Sequence, residues 1–539
     1  MERIFYNGKI LTMAHVNGKE ERLNTPEAIL VKDGIIKAVG SYNEILQKAG
    51  EKAEKTDLCG KCLMPSFIDA HSHIVMNGQM SLFADLSSCQ SFEEIIATLK
   101  NYQVKNQLTP KDVLIGFGYD HNFLKENAQP DKRVLDQVSA EIPIFILHIS
   151  GHLACANSAA LELAHITADT PDPEGGVIGR LANGQEPSGY VEEAGMRPIQ
   201  LAVMPRVKTD YAQMLCKMQE IYISNGITTV QDGATSEGDW KALLGAATSG
   251  SLKVDVVSYL LMSSEDIDLM EEYGDRYSDY KNHLKIGGYK LILDGSPQGR
   301  SAWMSQPYIG GTEGYCGYPW MAEDAVQDYL LRAVNDRKQI LVHCNGDAAS
   351  EQFIRTYKKA VETTDCKEDL RPVMIHCQTV RDDQLDRMAK LSMIASVFVG
   401  HVWYWGDIHI KNFGEKRGNH ISPAKAALDR NVVITFHQDT PVTKPDMLHS
   451  VWCAVNRVSR SGNIIGIDQA IDVYEALKAV TINAAYQYFE EDTKGSNEAG
   501  KRADLIVLSQ SPLEAAPMTI RDIKVLETIK DGESIFQNI

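Results

Sequence analysis

Two histidines one residue apart, His71 and His73, close an apolar run in Asp69-Ala-His71-Ser-His73. Side chains alternate along a strand, so both imidazoles point one way while Ser72 points the other. Neutral imidazole is a preferred ligand of zinc-class metals, and two on one strand face can share an ion. Alone, such a pair is equally well a packed couple. Here it has company. His343 and His376 end the apolar runs Gln339-Ile-Leu-Val-His343 and Pro372-Val-Met-Ile-His376. Asp439 follows another, in Phe436-His-Gln-Asp439, where a carboxylate can ligate a metal and take a proton from water. Its competing role is a helix N-cap ahead of Thr440-Pro441. Cys344 and Cys377 follow their histidines, and alternation turns them to the opposite face, outside the ligand set.

Lys290 lies inside an apolar strand, Tyr289-Lys-Leu-Ile-Leu-Asp294, on the same face as Ile292 and Asp294. An isolated buried ammonium is costly and tends to lose its proton. The neutral amine can take up carbon dioxide as a carbamate, whose two oxygens could bridge two metal ions. The other reading pairs Lys290 with Asp294 or Asp232, and spacing alone does not separate the two.

For these groups to meet, strands must carry them to one place. Eight strand-length runs alternate with helical patterns: 65–71, 226–232, 254–259, 288–294, 339–343, 372–376, 393–397 and 431–437. That alternation predicts an α/β fold with a parallel sheet, a (β/α)₈ TIM barrel, whose C-terminal strand ends converge on the catalytic face. At the chain ends, Ala28–Val39 and Thr528–Phe536 read as hairpins with Asp-Gly turns, and Ala503–Leu508 as a strand. They predict a small composite β-sandwich of residues 1–63 and 490–539, flanking a hydrolase barrel at 64–489. Residues of about 76–215 exceed one helix and hold strand-like pieces at 113–119 and 144–149, predicting an inserted cap subdomain.

Composition narrows the partners. Lys plus Arg total 54 against 72 Asp plus Glu, a net charge of −18 over 539 residues. Such a surface repels phosphate backbones and anionic lipid, which argues against nucleic acid or membrane partners. No apolar stretch is long enough to span a bilayer. The opening Met-Glu-Arg-Ile-Phe-Tyr lacks a secretory pattern, so the cytoplasm is the expected compartment. The ten cysteines do not form a disulfide framework, and Cys59-Gly-Lys-Cys62, the lone CxxC, reads as packing. A small-molecule substrate is the expected partner, with a homodimer as the candidate assembly.

Met64-Pro-Ser-Phe-Ile-Asp-Ala-His-Ser-His73 resembles the first-strand motif of the amidohydrolase superfamily. Gly151-His-Leu-Ala-Cys-Ala-Asn-Ser158, Lys290-Leu-Ile-Leu-Asp-Gly-Ser296, Gly299-Arg-Ser-Ala-Trp303, His343-Cys-Asn-Gly-Asp347 and Thr481-Ile-Asn-Ala-Ala485 narrow the likeness. It is to the YtcJ-like branch, amidohydrolase family 3, which includes N-substituted formamide deformylases. The resemblance runs over essentially the whole chain. It implies a divalent metal centre, zinc or similar, with two ions per chain. His71, His73 and Asp439 would hold the buried ion, His343 and His376 the exposed one, and carboxylated Lys290 would bridge them. The implied reaction is hydrolysis of a C–N bond in an amide, formamide or related small molecule by a metal-activated hydroxide, with Asp439 shuttling the proton. Arg300, His152, Tyr119, Asp120 and His401 are candidate substrate contacts, and Trp403 and Trp405 candidate pocket walls. The chain departs from the pattern at Pro65-Ser66, where Pro-Gly is usual, and at Phe436-His-Gln-Asp439, where a small residue often precedes the Asp. A mononuclear deaminase with unmodified Lys290 and a catalytically inactive binding or scaffold relative are the alternatives. Six retained ligands argue against the second.

Overall fold

The computed structural model describes residues 2–14, 25–182, 184–207, 210–262 and 267–538. Apolar runs without polar alternation suit strands covered on both faces, and eight of them form one curled parallel sheet. The strands are β1 Phe67–Ile68, β2 Ile227–Thr235, β3 Asp255–Leu261 and β4 Leu284–Ile292. β5 Gln339–Cys344, β6 Val373–His376, β7 Ile394–Val397 and β8 Ile434–Phe436 complete it, ordered β8 to β1 across the sheet. Past the two edge strands, His73 N–H donates to the Thr440 carbonyl at 2.9 Å. Register then fixes which side chains are neighbours: Ile292 pairs with His343, and Cys344 with His376.

β1 is shorter than its apolar run. Pro65 instead ends the strand Cys62–Pro65, which pairs with Leu505–Leu508 in a different sheet. Proline has no N–H for a ladder, and Ser66 N–H turns to the Asp504 carbonyl, so the chain changes sheets at this dipeptide.

The interior of the curled sheet is apolar where it needs no chemistry. Ile68, Val257, Leu341, Val373, Ile375 and Ile394 form one buried cluster, sealed by Ala484, Ala485 and Tyr488. Each large aliphatic buried this way contributes about 1.5–3 kcal/mol. Beneath lies a charged knot. Asp255, fully buried, accepts from Lys494 at 2.6 Å and from the His283 ring at 2.8 Å, with Lys530 at 3.2 Å.

Both chain ends contribute small sheets. One orders Ile35–Gly40, Ala28–Lys32, Glu2–Tyr6 and Glu54–Asp57; the other Lys9–Ile10, Cys62–Pro65, Leu505–Leu508, Val525–Lys530 and Glu533–Gln537. A single apolar cluster, with Phe5, Ile29, Ile36, Leu63, Leu505 and Ile529, draws on both. The Asp33-Gly34 turn has φ of 51° and 77°, the left-handed pair that a tight hairpin requires.

Two compact units result: Met1–Val75 with Leu215–Ile292 and Glu323–Ile539, and Met76–Met214 with Leu293–Ala322. The second has its own six-stranded sheet, ordered Gly176–Arg180, Pro187–Glu193, Leu153–Ala156, Ile144–His148, Leu114–Tyr119 and Ala84–Asp85. Among the described residues no helix is long and apolar enough to cross a membrane. None of the ten cysteines is in a disulfide; Cys59 is exposed and Cys62 buried.

Candidate metal centre

The predicted ligand residues in the first unit gather where the parallel strands end. His71 lies three residues past β1, His343 is the penultimate residue of β5, His376 ends β6, and Asp439 follows β8. Lys290 projects from β4 and is 1% exposed. Its Nζ lies 3.2 Å from His71 Nε2. Asp439 Oδ1 stands 3.4 Å from Nε2 of both His71 and His73. Asp439 Oδ2 is 4.0 Å from His376 Nε2, which in turn is 3.0 Å from His343 Nδ1.

These spacings suit a cation. Ligand atoms ~2.0–2.1 Å from a tetrahedral ion sit about 3.3 Å from each other. His71, His376 and Asp439 offer ligand atoms all within 4.8 Å of one another. Burial, chiefly, holds the His71 and His376 imidazoles well below their usual range, so both are neutral with lone pairs to offer. Asp439 Oδ1, although surrounded by ring nitrogens, makes no hydrogen bond, and neither does His376 Nδ1. An orphaned carboxylate oxygen facing the lone pair of His71 Nε2 at 3.4 Å is repelled unless a cation sits between them. The donor set fits a divalent ion.

The ligands are also aimed from behind. His71 Nδ1–H donates to Gln231 Oε1 at 2.5 Å, leaving Nε2 as the lone pair. Gln231 is itself held, donating to the Ala70 carbonyl and to Tyr488 Oη, both at 2.9 Å. Gly233 makes room for the ring, since a Cβ there would stand 2.5 Å from His71 Cε1. His376 and Asp439 have φ of 72° and 53°, left-handed values that non-glycine residues adopt at a cost and that cluster at functional sites. Lys290 is pushed down to about 8 by burial, within reach of the neutral amine.

The sequence profile of the amidohydrolase family matches residues 54–536. The chain belongs to this amidohydrolase family. The amidohydrolase YtcJ of Bacillus subtilis is 28% identical over the full length of both chains. The N-substituted formamide deformylase of Arthrobacter pascens is 27% identical over 96% of each. The crystal structure of an uncharacterised metal-dependent hydrolase from Pyrococcus horikoshii superposes with a TM-score of 0.75 at 25% identity, covering 96% of this chain and 99% of that one. This amidohydrolase is therefore a hydrolase, of the class that acts on carbon–nitrogen bonds.

One side chain at the centre of this amidohydrolase escaped the sequence reading. His437 is fully buried, its ring 5.2 Å from those of His71 and His376, and neither of its nitrogens makes a hydrogen bond. Burial drives its imidazole down to about 3. The signal was there: 437 and 439 share strand parity just as 71 and 73 do. Gln231 and Asp69 had no such signal. Asp69 is buried at the root of His71, accepts that residue's N–H at 3.3 Å, and is raised to about 7 by burial.

His401 is buried, its Nδ1 3.0 Å from His409 Nε2. Trp405 packs edge-on against Phe398 and close to the His401 ring, while Trp403 meets Trp452 and Arg521.

The remaining predicted contacts belong to the second unit. Tyr119 is fully buried and donates to Gln129 Oε1 at 3.0 Å. Arg300 has a φ of 63°. His152 pairs with Glu193. Asp120 joins His121 and His148 in a second cluster of metal-ligand type. There, however, Ser150 N–H donates to His148 Nδ1 at 3.0 Å. Nδ1 is thus an acceptor, and Nε2 is the ring's donor, facing Asp120 at 3.4 Å.

Proposed function

We propose that this amidohydrolase cleaves the C–N bond of a small amide, formamide or related molecule with water, at a centre of two zinc-class ions. His71, His73 and Asp439 hold one ion, His343 and His376 the other, and carboxylated Lys290 bridges them. The observation that carries this is the meeting of the His71 and His73 rings with Asp439 at 3.4 Å, and of His71 with Lys290 at 3.2 Å, while Asp439 Oδ1 has no hydrogen-bond partner. Lys290 fits its part because burial lowers its ammonium to about 8, which makes the neutral amine that captures carbon dioxide far more accessible than in a solvated lysine.

A divalent ion held by these residues would supply Lewis acidity toward the scissile carbonyl and would lower the pKa of water from ~15.7 toward ~7. Asp439 takes the proton of the attacking water and delivers it to the leaving nitrogen. The products are a carboxylic acid and an amine. Gln231 keeps His71 in its ligating tautomer throughout. In this reading the curled sheet is a (β/α)₈ barrel spanning 64–489, and residues 1–63 and 490–539 form a composite sandwich. Residues 76–215 act as a cap that selects substrate through His152, Tyr119 and Asp120, alongside Arg300 and His401. The protein works in the cytoplasm on small molecules, as a homodimer.

Metal analysis of purified protein, paired with assays over amides, carbamates and formamides, tests the proposal. The expected result is a two-ion centre and amide or formamide turnover abolished by Asp439→Asn. A single ion with ammonia release favours the mononuclear deaminase. Metal-replete protein that hydrolyses nothing in the panel sinks the hydrolytic assignment.

A further inference from the structure

In the same compact unit as the metal centre, two buried histidines face each other, and the chemistry above leaves one of them unused. His401 opens the helix His401–Asn419, and His409 lies eight positions on. Both rings are buried, His409 completely. His401 Nδ1 stands 3.0 Å from His409 Nε2. The ring planes are 14° apart and the centroids 5.3 Å, so the nitrogens meet edge to edge. An imidazole lone pair and an N–H both point in that plane. Phe398 and Trp405 pack against the His401 ring at 4.7 and 4.6 Å, and Phe413 lies parallel to His409 at 5.8 Å.

Proton counting gives the pair a direction. Burial holds both imidazoles below their usual range, His409 at about 3, so both are neutral and each carries one N–H. The 3.0 Å contact takes one proton between its two nitrogens. His409 Nδ1 is buried and makes no hydrogen bond. Were the shared proton His401's, His409 would keep its own on Nδ1, a buried donor with nothing to donate to. Were it His409's, Nδ1 would be a bare lone pair. Buried N–H groups without an acceptor are rarer than under-used acceptors. His409 Nε2–H therefore donates, His401 Nδ1 accepts, and the proton of His401 is on Nε2. That edge belongs to the neighbourhood of the metal centre. His401 follows β7 as Asp439 follows β8, at the same end of the parallel sheet. The Asp439 carboxylate acts electrostatically on the His401 ring. Phe398, which packs on His401, also meets the His437 and His376 rings at 5.2 and 6.2 Å.

We infer that His401 donates a hydrogen bond from Nε2–H to a carbonyl oxygen of the substrate, and that His409 is the positioning residue that fixes this tautomer. The opposite tautomer would present a lone pair to that oxygen and repel it. The inference rests on the proposed hydrolysis at this centre.

Zinc-loaded protein carrying ¹⁵N-labelled histidine reads the tautomers directly. The expected result is a proton on Nε2 of both rings, with the His401 resonance moving when formate is added as an oxygen-only probe. A His401 proton on Nδ1 overturns the inference, and so does an Nε2 resonance that formate leaves in place. These readings need no turnover. Wild type that hydrolyses no amide therefore fails the proposed function, while the tautomers still decide the inference. Where turnover is found, His401→Leu and His409→Leu are each expected to lower kcat/KM at least about tenfold with zinc content unchanged. The double variant is expected to fall no further, because the two residues act through one hydrogen bond. His409→Gln, which keeps an N–H donor, recovers part of the loss. Losses that simply multiply in the double variant are those of independent packing defects and overturn the role of His409.

Discussion

Gln231 Oε1 accepts a hydrogen bond from His71 Nδ1–H at 2.5 Å, and that contact favours Nε2 as the basic edge of the imidazole. Replacing Gln231 with leucine removes the acceptor and leaves Tyr488 Oη without its donor, while Ala70 O keeps Gln487 Nε2 at 2.7 Å. Metal affinity is expected to fall on the order of 10–100-fold, the usual cost of losing such an orienting partner. Titration with a competing chelator measures it, and unaltered affinity refutes the tautomer argument.

Gly233→Ala tests the same ring by crowding. The new methyl would stand 2.5 Å from His71 Cε1 and 2.7 Å from Gln231 Oε1, both inside contact distance. Overpacking of this kind costs about 1–3 kcal/mol. The variant is expected to fold with a lowered unfolding temperature and to bind metal weakly. Normal metal binding means the ring moves freely and is not held as described.

Lys290→Ala removes the amine 3.2 Å from His71 Nε2. Bridging predicts loss of metal and activity, with partial recovery on adding acetate or propionate, whose carboxylates can replace the carbamate oxygens. Elemental analysis with and without the additive decides. Unchanged metal stoichiometry defeats the bridging role.

Asp255→Ala addresses stability rather than chemistry. Burial alone would raise the Asp255 carboxyl, but Lys494 and Lys530 overcome this and hold it well below the carboxylate range. Removing it leaves those ammonium groups buried without their central partner, at a cost of about 3–5 kcal/mol. A group with a depressed native pKa stabilises above its unfolded value, about 3.9, and that contribution disappears as pH falls below it. Urea unfolding at several pH values is therefore expected to separate wild type from variant widely at neutral pH and less in acid. A gap independent of pH contradicts the assignment.

What the residues determined unaided was local. His71 and His73 share a face because alternation is a property of neighbouring residues, and the unbroken apolar runs are the mark of strands covered on both sides. The Asp33-Gly34 hairpin was legible for the same reason, its geometry being set by two adjacent residues. Only the tertiary structure decided that Lys290 lies beside His71, 219 positions away, and that Gln231 orients it from 160 away. The same holds for the change of sheet at Pro65-Ser66 and for Glu193 holding His152. Such contacts depend on strand register and on the packing of side chains far apart in sequence, which no periodicity encodes.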